Sequence, residues 1–564
     1  MTSDLLVRAA AWAAVDPDPE TRAAVEAAVA AEDPVLWEWF GERVGFGTAG
    51  LRATMGPGPA RLNRLVVRQA TVGLMQWLPE GAHVVVGHDA RHRSEVFAAD
   101  TAAMVEACGG RSELLDGPVP TPVVAHHLLD VGADAGIVIT ASHNPAPDNG
   151  YKLYLADGIQ LVSPADREIA AEILRVADRW NDLDPAVRDP EAAPAGQPPV
   201  SSETPIRSHR DAAVAALTTG GARDVRLVYT AMHGVGGEPF LAALEAGGFP
   251  APVVVAEQFV PDPDFPTAEF PNPEEPGALD LALDAAREVA ADAVIAHDPD
   301  ADRLAIAVAG RDGAWTRLSG DQVGALLADH LLRRSDPGGP THTGRPRVVA
   351  CSVVSSRLLD AIAAAHDTEC VVTLTGFKWV ARPIVDQPES DYVLGYEEAL
   401  GYCVGSRVRD KDGITAGIVA AELLAGLKAA GETVWDRLDE LATRHGVHLT
   451  APVTVRLAGA DGARQRQVLL DRWVARPPTE LVGAPLRRVE NLADGARFPA
   501  TPGLIVEYAD RTRVIVRPSG TEPKLKVYIE VIEAVEGALD QATRVAEARL
   551  AAYRSAIEER LRPE

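Results

Sequence analysis

The chain is short of positive charge, and of lysine above all. Lys and Arg total 54 against 81 Asp and Glu, a formal net charge of −27 at pH 7. That balance excludes a nucleic-acid partner or an anionic membrane surface, both of which need a basic face. It would also slow the capture of an anionic ligand unless the site itself were locally basic. Lysine occurs only at Lys152, Lys378, Lys411, Lys428, Lys524 and Lys526. All but Lys428 fall in Gly-rich or Pro-flanked polar stretches, so compact ammonium charges are kept for particular places. Cysteine is equally sparse. Cys108, Cys351, Cys370 and Cys403 are scattered, with no CxxC and no metal spacing. This excludes a disulfide scaffold and predicts reduced thiols. The N-terminus lacks a basic stretch followed by an apolar one, and no apolar run reaches the roughly 18–20 residues that span a bilayer. The expectation is a cytoplasmic protein with no membrane partner.

What is present points to several domains. A length of 564 residues exceeds one hydrophobic core, so three or four domains are expected. A hydrophobic content of 47% with 24% charged residues belongs to a soluble globular chain. The stretch Thr140-Ala141-Ser142-His143-Asn144-Pro145 organises the rest. Gly136 to Thr140 is short, β-branched and apolar, which predicts a buried strand. Asn144-Pro145 then forces a turn. A serine at such a strand end is held rigidly and still reaches solvent, which suits a nucleophile or a covalent phosphate carrier. An isolated Ser-His pair would describe an ordinary strand-ending turn. Three further polar loops change that reading.

Residues 1 to about 40 carry Leu5, Leu6, Trp12, Val25, Val29, Leu36, Trp37 and Phe40 at roughly helical spacing, predicting an N-terminal helical extension. In Gly45-Phe-Gly-Thr-Ala-Gly-Leu-Arg52, glycines beside one Arg suit close approach to an anion. Val84 to Gly87 predicts a strand and Ser94 to Cys108 a helix, giving an α/β layer with a partly parallel sheet. Asn149-Gly150 predicts a tight hairpin that swings Lys152 back beside Ser142. Residues 182–206 read as a linker. A second α/β unit opens at Arg226. Its Gly234-Val-Gly-Gly237 lacks the third glycine of a dinucleotide fingerprint. The strand Ala293 to Ala296 ends in His297-Asp298-Pro299-Asp300-Ala301-Asp302-Arg303. Three carboxylates at alternate positions repel strongly, and a hard divalent ion would offset them. An EF-hand is excluded, because Arg303 and Ala309 stand where its Gly and Glu belong. The few remaining ligands suit Mg²⁺, which completes its shell with water and a phosphate oxygen.

A third unit, from about 320, carries Thr375-Gly-Phe-Lys378 and the strand Tyr392 to Leu394 leading into Gly395-Tyr-Glu397-Glu398-Ala399-Leu-Gly401. Paired carboxylates between aromatics suit hydrogen bonds to sugar hydroxyls. As adjacent residues they are poorly placed for the acid–base pair of glycoside hydrolysis. From about 446 short alternating strands follow, and Arg517-Pro-Ser519-Gly520-Thr521-Glu-Pro-Lys524 gathers donors into an anion cradle. A terminal amphipathic helix runs from Leu539 to Leu561.

Thr140-Ala-Ser-His-Asn-Pro145, the Asn149-Gly-Tyr-Lys152 run, Asp298-Pro-Asp-Ala-Asp-Arg303, the Glu397-Glu398 loop and Arg517-Pro-Ser-Gly-Thr521 occur in an order that resembles the α-D-phosphohexomutase superfamily. The similarity runs from about residue 43 to the C-terminus. It is strongest towards the branch holding bacterial phosphoglucomutases and phosphopentomutase-type enzymes. The resemblance implies three similar α/β domains with mixed sheets plus a smaller α+β domain around a central cleft. The expected boundaries are 1–205, 206–319, 320–446 and 447–564.

It further implies that Ser142 carries a phosphoryl group and that Mg²⁺ is bound by Asp298, Asp300, Asp302 and that phosphoserine. Arg52, His143, Lys152 and Arg303 would serve the chemistry, with Lys152 or His143 as proton acceptor. Thr375, Gly376, Lys378, Glu397, Ala399 and Lys411 would bind the sugar, and Arg517, Ser519, Gly520 and Thr521 its distal phosphate. Many relatives carry Ser where this chain has Ala399, which bears on the substrate. The implied reaction interconverts 1-phosphate and 6-phosphate hexoses, glucose first, with a sugar 1,6-bisphosphate as intermediate and activator. Phosphomannomutase and phosphopentomutase (ribose 1-phosphate and ribose 5-phosphate) are alternatives, with sugar bisphosphate synthase more distant. A phosphatase would have no use for the loop at 517–524. A non-catalytic sugar-binding protein would have no use for Ser142 beside three carboxylates. The implied partner is a small phospho-sugar, and nothing is implied about oligomeric state.

Overall fold

The computed structural model describes residues 3–47, 50–188, 198–457, 462–518 and 524–562. They fall into two compact units. The first comprises Met1–Leu318, Ile384–Asp386 and Leu400–Ala429, and the second Ser319–Pro383, Gln387–Ala399 and Ala430–Glu564.

The first unit opens with three helices, Ser3–Ala13, Pro19–Ala30 and Val35–Phe40. Leu5, Ala9, Val25, Leu36 and Phe40 form their small core, whereas Trp37 is 53% exposed and takes no part in it. A five-stranded sheet follows, built from Leu51–Thr54 (β1), His83–His88 (β2), Arg111–Leu114 (β3), Ala135–Ile139 (β4) and Asp148–Leu155 (β5), in the order β1-β5-β4-β2-β3. Strands β3, β2 and β4 are parallel, and β5 and β1 complete the sheet antiparallel. Alternate residues feed two cores. Val84, Val86, Ile137 and Ile139 enter one, and Val85, Val138 and Tyr154 the other. Burial on both faces is why these strands read as continuous apolar runs.

The second sheet has Leu227–Thr230 (β6), Val253–Val254 (β7), Ala293–Ala296 (β8), Ala305–Ala309 (β9) and Trp315–Arg317 (β10), in the order β10-β9-β8-β6-β7. Here too three parallel strands are followed by antiparallel ones. In the second unit Arg347–Ser352 (β11), Glu369–Thr373 (β12) and Asp391–Glu397 (β13) repeat the parallel triplet in the order β12-β11-β13. Gly401–Val404 (β14) belongs to the first unit.

The chain ends in an antiparallel sheet of Val447–Arg456 (β15), Glu480–Leu481 (β16), Ala484–Asn491 (β17), Leu504–Tyr508 (β18), Arg513–Pro518 (β19) and Lys524–Glu533 (β20), ordered β15-β20-β19-β18-β17-β16. The helix Leu539–Arg560 packs on it through Ala546, Tyr553 and Ile557. Three similar mixed α/β layers and one antiparallel α+β layer are the architecture expected from the sequence.

Three local expectations are corrected. Asn149-Gly150 is not a hairpin turn but lies inside β5, paired with β1. Asn149 donates its side-chain amide to the His92 carbonyl and to Ser94 Oγ. A Cβ on Gly150 would meet the Thr140 carbonyl oxygen at 2.6 Å, so glycine there serves close approach rather than a turn. The linker is also shorter than expected: Pro185–Arg188 is helical, and Glu203–Ala215 forms a regular helix. Finally, the helix Gly413–Ala430 is long and apolar enough to cross a membrane by length and composition. It is a core element of the first unit, with 78% of it buried inside the structure. Its Glu422 is buried and accepts from the Thr218 N–H and from Arg223.

Candidate active site

The parallel triplet places functional loops at equivalent points. The Ser142 turn follows β4, the Asp298–Asp302 loop follows β8, and Glu397 ends β13. Each is the carboxyl end of the third strand of its triplet, where loops leave a rigid sheet edge.

Ser142 is buried and left-handed, with φ +54°. An L-residue holds that conformation only where its surroundings over-determine it. Its N–H donates to Thr140 Oγ1 at 2.8 Å, and that hydroxyl donates to Asp89 Oδ2 at 2.6 Å. Ser142 Oγ thereby points at Asp298, donating to Oδ2 at 2.8 Å, and lies 3.1 Å from His143 Nδ1. Burial, with Arg303 and Arg52 nearby, holds the His143 pKa well below the usual imidazole range. The ring is therefore neutral at pH 7 and able to accept a proton.

Asp298, Asp300 and Asp302 are fully buried, and one oxygen from each lies within 4.8 Å of the others. Burial, then Asp300 and Asp302, push the Asp298 carboxyl well up. Burial works the same way on Asp302, but Lys152, Lys411 and Arg303 outweigh it and hold that group ionised. Lys152, on β5, donates to Asp300 Oδ2 at 2.5 Å and Asp302 Oδ2 at 2.7 Å. Burial would discharge Lys152, yet these two carboxylates keep its pKa raised. Thr121 Oγ1 also donates to Asp300 Oδ2, at 2.7 Å. The other oxygens, Asp300 Oδ1 and Asp302 Oδ1, are buried and take no hydrogen bond among the described residues. Orphaned carboxylate oxygens are costly. Hard anionic donors converging in this way fit a hard divalent cation. The loop rests on Gly234, where a Cβ would lie 2.3 Å from Pro299 Cα. That glycine, which did not fit a dinucleotide fingerprint, is needed for packing against the acidic loop.

Other expected residues gather in the same unit. Arg52, on β1, donates to Asn144 Oδ1 at 3.4 Å. Arg303 lies 3.5 Å from Glu274 and 4.0 Å from Asp302. Lys411, expected on the sugar, has its Nζ 3.3 Å from Asp302 Oδ2 and 3.2 Å from Asp410 Oδ1. Sequence reasoning missed Thr121, Asp89 and Arg91, none of which stands in a recognisable motif.

In the second unit Glu397 Oε1 accepts from the N–H of Gly376 at 2.7 Å, which joins the Thr375–Lys378 turn to the Glu397–Ala399 loop. Glu398 is half-buried and accepts from Ser352 Oγ at 3.3 Å. Burial, with Glu397 and Asp321 adding repulsion, pushes its pKa up to about 7. Arg517 stands on β19 opposite Lys526 of β20. Ser519, Gly520 and Thr521 lie outside the described residues.

Buried cations, acid-loop carboxylates and a strained serine are the parts of phosphoryl-transfer chemistry. Comparison with known proteins agrees. Residues 43–179, 209–311 and 319–445 match the phosphoglucomutase/phosphomannomutase alpha/beta/alpha domains I, II and III, and 482–548 the C-terminal domain. The chain is 39% identical over 478 residues to a Haemophilus influenzae protein named "Probable phosphomannomutase", covering 83% of this chain and 93% of that one. It is 32% identical over 562 residues to the phosphopentomutase of Mus musculus, covering 93% and 89%. Among solved structures, parafusin, a phosphoglucomutase from Paramecium, superposes with a TM-score of 0.66 at 19% identity, covering 91% of this chain and 95% of that one, and shares the fold. The chain belongs to the phosphoglucomutase/phosphomannomutase family, within the α-D-phosphohexomutase superfamily. It is an enzyme of the mutase class, acting on a phospho-sugar.

Proposed function

We propose that this mutase interconverts the 1- and 6-phosphates of a hexose, glucose first, through a phosphoserine at Ser142 and a bisphosphorylated sugar. The observation that carries this reading is Ser142 Oγ, 2.8 Å from Asp298 at the mouth of the acidic loop. Each of the four functional loops is assigned its own domain, with boundaries 1–205, 206–319, 320–446 and 447–564. Magnesium bound by Asp298, Asp300, Asp302 and the phosphoserine would supply positive charge to the equatorial phosphate oxygens.

In the transfer step the bond between phosphorus and Ser142 Oγ breaks as a sugar hydroxyl oxygen bonds to phosphorus. The hydroxyl proton passes to a base. His143, neutral and beside Oγ, suits that role better than Lys152, which its two carboxylates hold charged. Arg52, Lys152 and Arg303 balance charge around the phosphoryl group. Lys411, 3.3 Å from the same Asp302 oxygen as Lys152, belongs with them as well as with the sugar. Thr375, Gly376, Lys378, Glu397 and Ala399 would orient the sugar, while Arg517 and its loop hold the phosphate that stays. After the bisphosphorylated sugar reorients, its other phosphate returns to Ser142.

A pentose substrate is the second reading, favoured by the likeness to the phosphopentomutase named above. Rates on glucose-, mannose- and ribose-1-phosphate, with intact mass after exposure to glucose 1,6-bisphosphate, test both. Glucose 1-phosphate should turn over fastest and the chain should gain one phosphate. Faster turnover of ribose 1-phosphate replaces the hexose reading. A chain that never gains phosphate ends the carrier reading.

A further inference from the structure

Arg91 is a heavily used cation of the first unit that no motif marks. It is 4% exposed, and its guanidinium faces the backbone of the serine turn rather than a carboxylate pair. Nη2 donates to the carbonyl oxygens of Ser142 and Asn144, both at 2.6 Å. Nη1 donates to those of Pro145 at 2.9 Å and Asp148 at 3.2 Å. Nε lies 3.3 Å from Asp89 Oδ2, and the Phe265 ring covers the guanidinium, its centroid 4.8 Å away.

Four carbonyl oxygens converging on one point repel unless a cation sits among them. Only a planar fork reaches four acceptors at once, and a lysine ammonium in that place would be a single point. The same short segment holds the turn from beneath. Asp89 accepts from Thr140 Oγ1, from Ser94 Oγ and from the Arg91 N–H, and Thr140 Oγ1 in turn accepts the Ser142 N–H. Backbone N–H and backbone carbonyl of Ser142 are thus both fixed by residues 89–91, directly or through one hydroxyl. Between those two anchors sits the residue with φ +54°.

We propose that Arg91 is a positioning residue for phosphoryl transfer: it locks the left-handed turn that aims Ser142 Oγ at Asp298. The inference rests on the reading of Ser142 as the carrier. Arg91 makes no hydrogen bond in the contacts above to the Ser142 side chain or the acidic loop, whose Asp300 and Asp298 act on it through space, so Arg91→Lys, which keeps the charge, should leave sugar binding in place. What it should damage is alignment, and an angstrom of misalignment costs on the order of 100-fold in rate.

The test compares Arg91→Met and Arg91→Lys with the natural enzyme in steady-state and single-turnover transfer from the phosphoenzyme to glucose 1-phosphate. kcat should fall on the order of 100-fold in both, with KM held within about threefold. Deuterium uptake should rise at 141–148 and stay unchanged in β6 and β8. Should Arg91→Met lose its cooperative melt, Arg91→Lys, which keeps the buried charge, carries the test. Transfer within about threefold of the natural rate in Arg91→Lys overturns the proposal, as does a loss of melting temperature with kcat unchanged. Ser142→Ala run alongside separates the two claims. Activity there sinks the carrier reading, whereas an inactive Ser142→Ala beside fully active Arg91 variants sinks the Arg91 proposal alone.

Discussion

Lys152→Met should uncouple two things that the natural enzyme keeps together, stability without metal and charge balance with it. Lys152 Nζ bridges Asp300 and Asp302 at 2.5 and 2.7 Å, and the side chain is 5% exposed. Methionine fills similar space without charge, leaving two buried carboxylates, of which Asp302 retains Lys411 at 3.3 Å. Removing one partner of a buried ion pair costs about 3–5 kcal/mol. Because Lys411 and Arg303 remain, the lower end applies. In EDTA the first unit should therefore melt several degrees lower than in the natural enzyme, at roughly 2–4 °C per kcal/mol. A divalent cation replaces the missing charge, so excess Mg²⁺ should raise the melting temperature of the variant more than that of the natural enzyme. Linkage sets the size of the effect, about 2.7 kcal/mol at one hundred times Kd. The assay is a thermal melt with and without Mg²⁺, paired with a Mg²⁺ titration. If the variant melts with the natural enzyme in EDTA, or if Mg²⁺ stabilises the two equally, the charge argument for this loop fails.

Asp300→Asn keeps the shape of the site and removes one of its charges. Mg²⁺ affinity and the rate of transfer to and from Ser142 should fall together while sugar binding persists, as read by titration and single-turnover kinetics. Glu398 holds its proton up to about 7 when folded, against 4.5 unfolded. Between those values the folded chain binds more protons, so this contribution is complete below about 4.5 and lost as pH rises through about 7. Discounted for partial exposure it is worth about 2–3 kcal/mol, and Glu398→Gln should flatten the fall in melting temperature between pH 5 and pH 8. Arg517→Ala should weaken substrate affinity tenfold to several hundredfold in both directions, at about 1.5–3 kcal/mol per charge-assisted bond. It should leave phosphate on Ser142, so a variant unable to hold phosphate would place Arg517 in the chemistry.

Many of the candidate loops were legible in the sequence because strands buried on both faces announce themselves as apolar runs, and the loops that leave them are polar. The Ser142 turn, the acidic loop and the Glu397-Glu398 loop were found in that way. Arg91 was not, because it works on backbone carbonyls, which have no sequence signature. Thr121 reaches Asp300 across 179 positions of chain, and no local pattern encodes that meeting. Asn149-Gly150 misled for the opposite reason. The pair favours tight turns locally, but two antiparallel partners and the nearby Thr140 carbonyl settle its conformation. Lys411 was expected on the sugar from the family resemblance alone, and its ion pair with Asp302 could not be read from the sequence.

The discontinuity of the first unit bears on how the protein is made. His297 Nε2 lies 2.9 Å from the Gly413 carbonyl oxygen, and the Leu304 N–H donates to the Leu400 carbonyl at 3.0 Å. Both contacts bracket the acidic loop. During synthesis the ribosome delivers that loop about a hundred residues before its supports, and most of the intervening chain belongs to the other unit. Lys152, Thr121 and Ser142 already reach its carboxylates, but the backbone on either side of the loop must wait for its partners until residues 400–430 have emerged. A nascent chain halted after Leu318 should be a target for chaperones, and the long apolar helix Gly413–Ala430 should be the last part of the first unit to find its place.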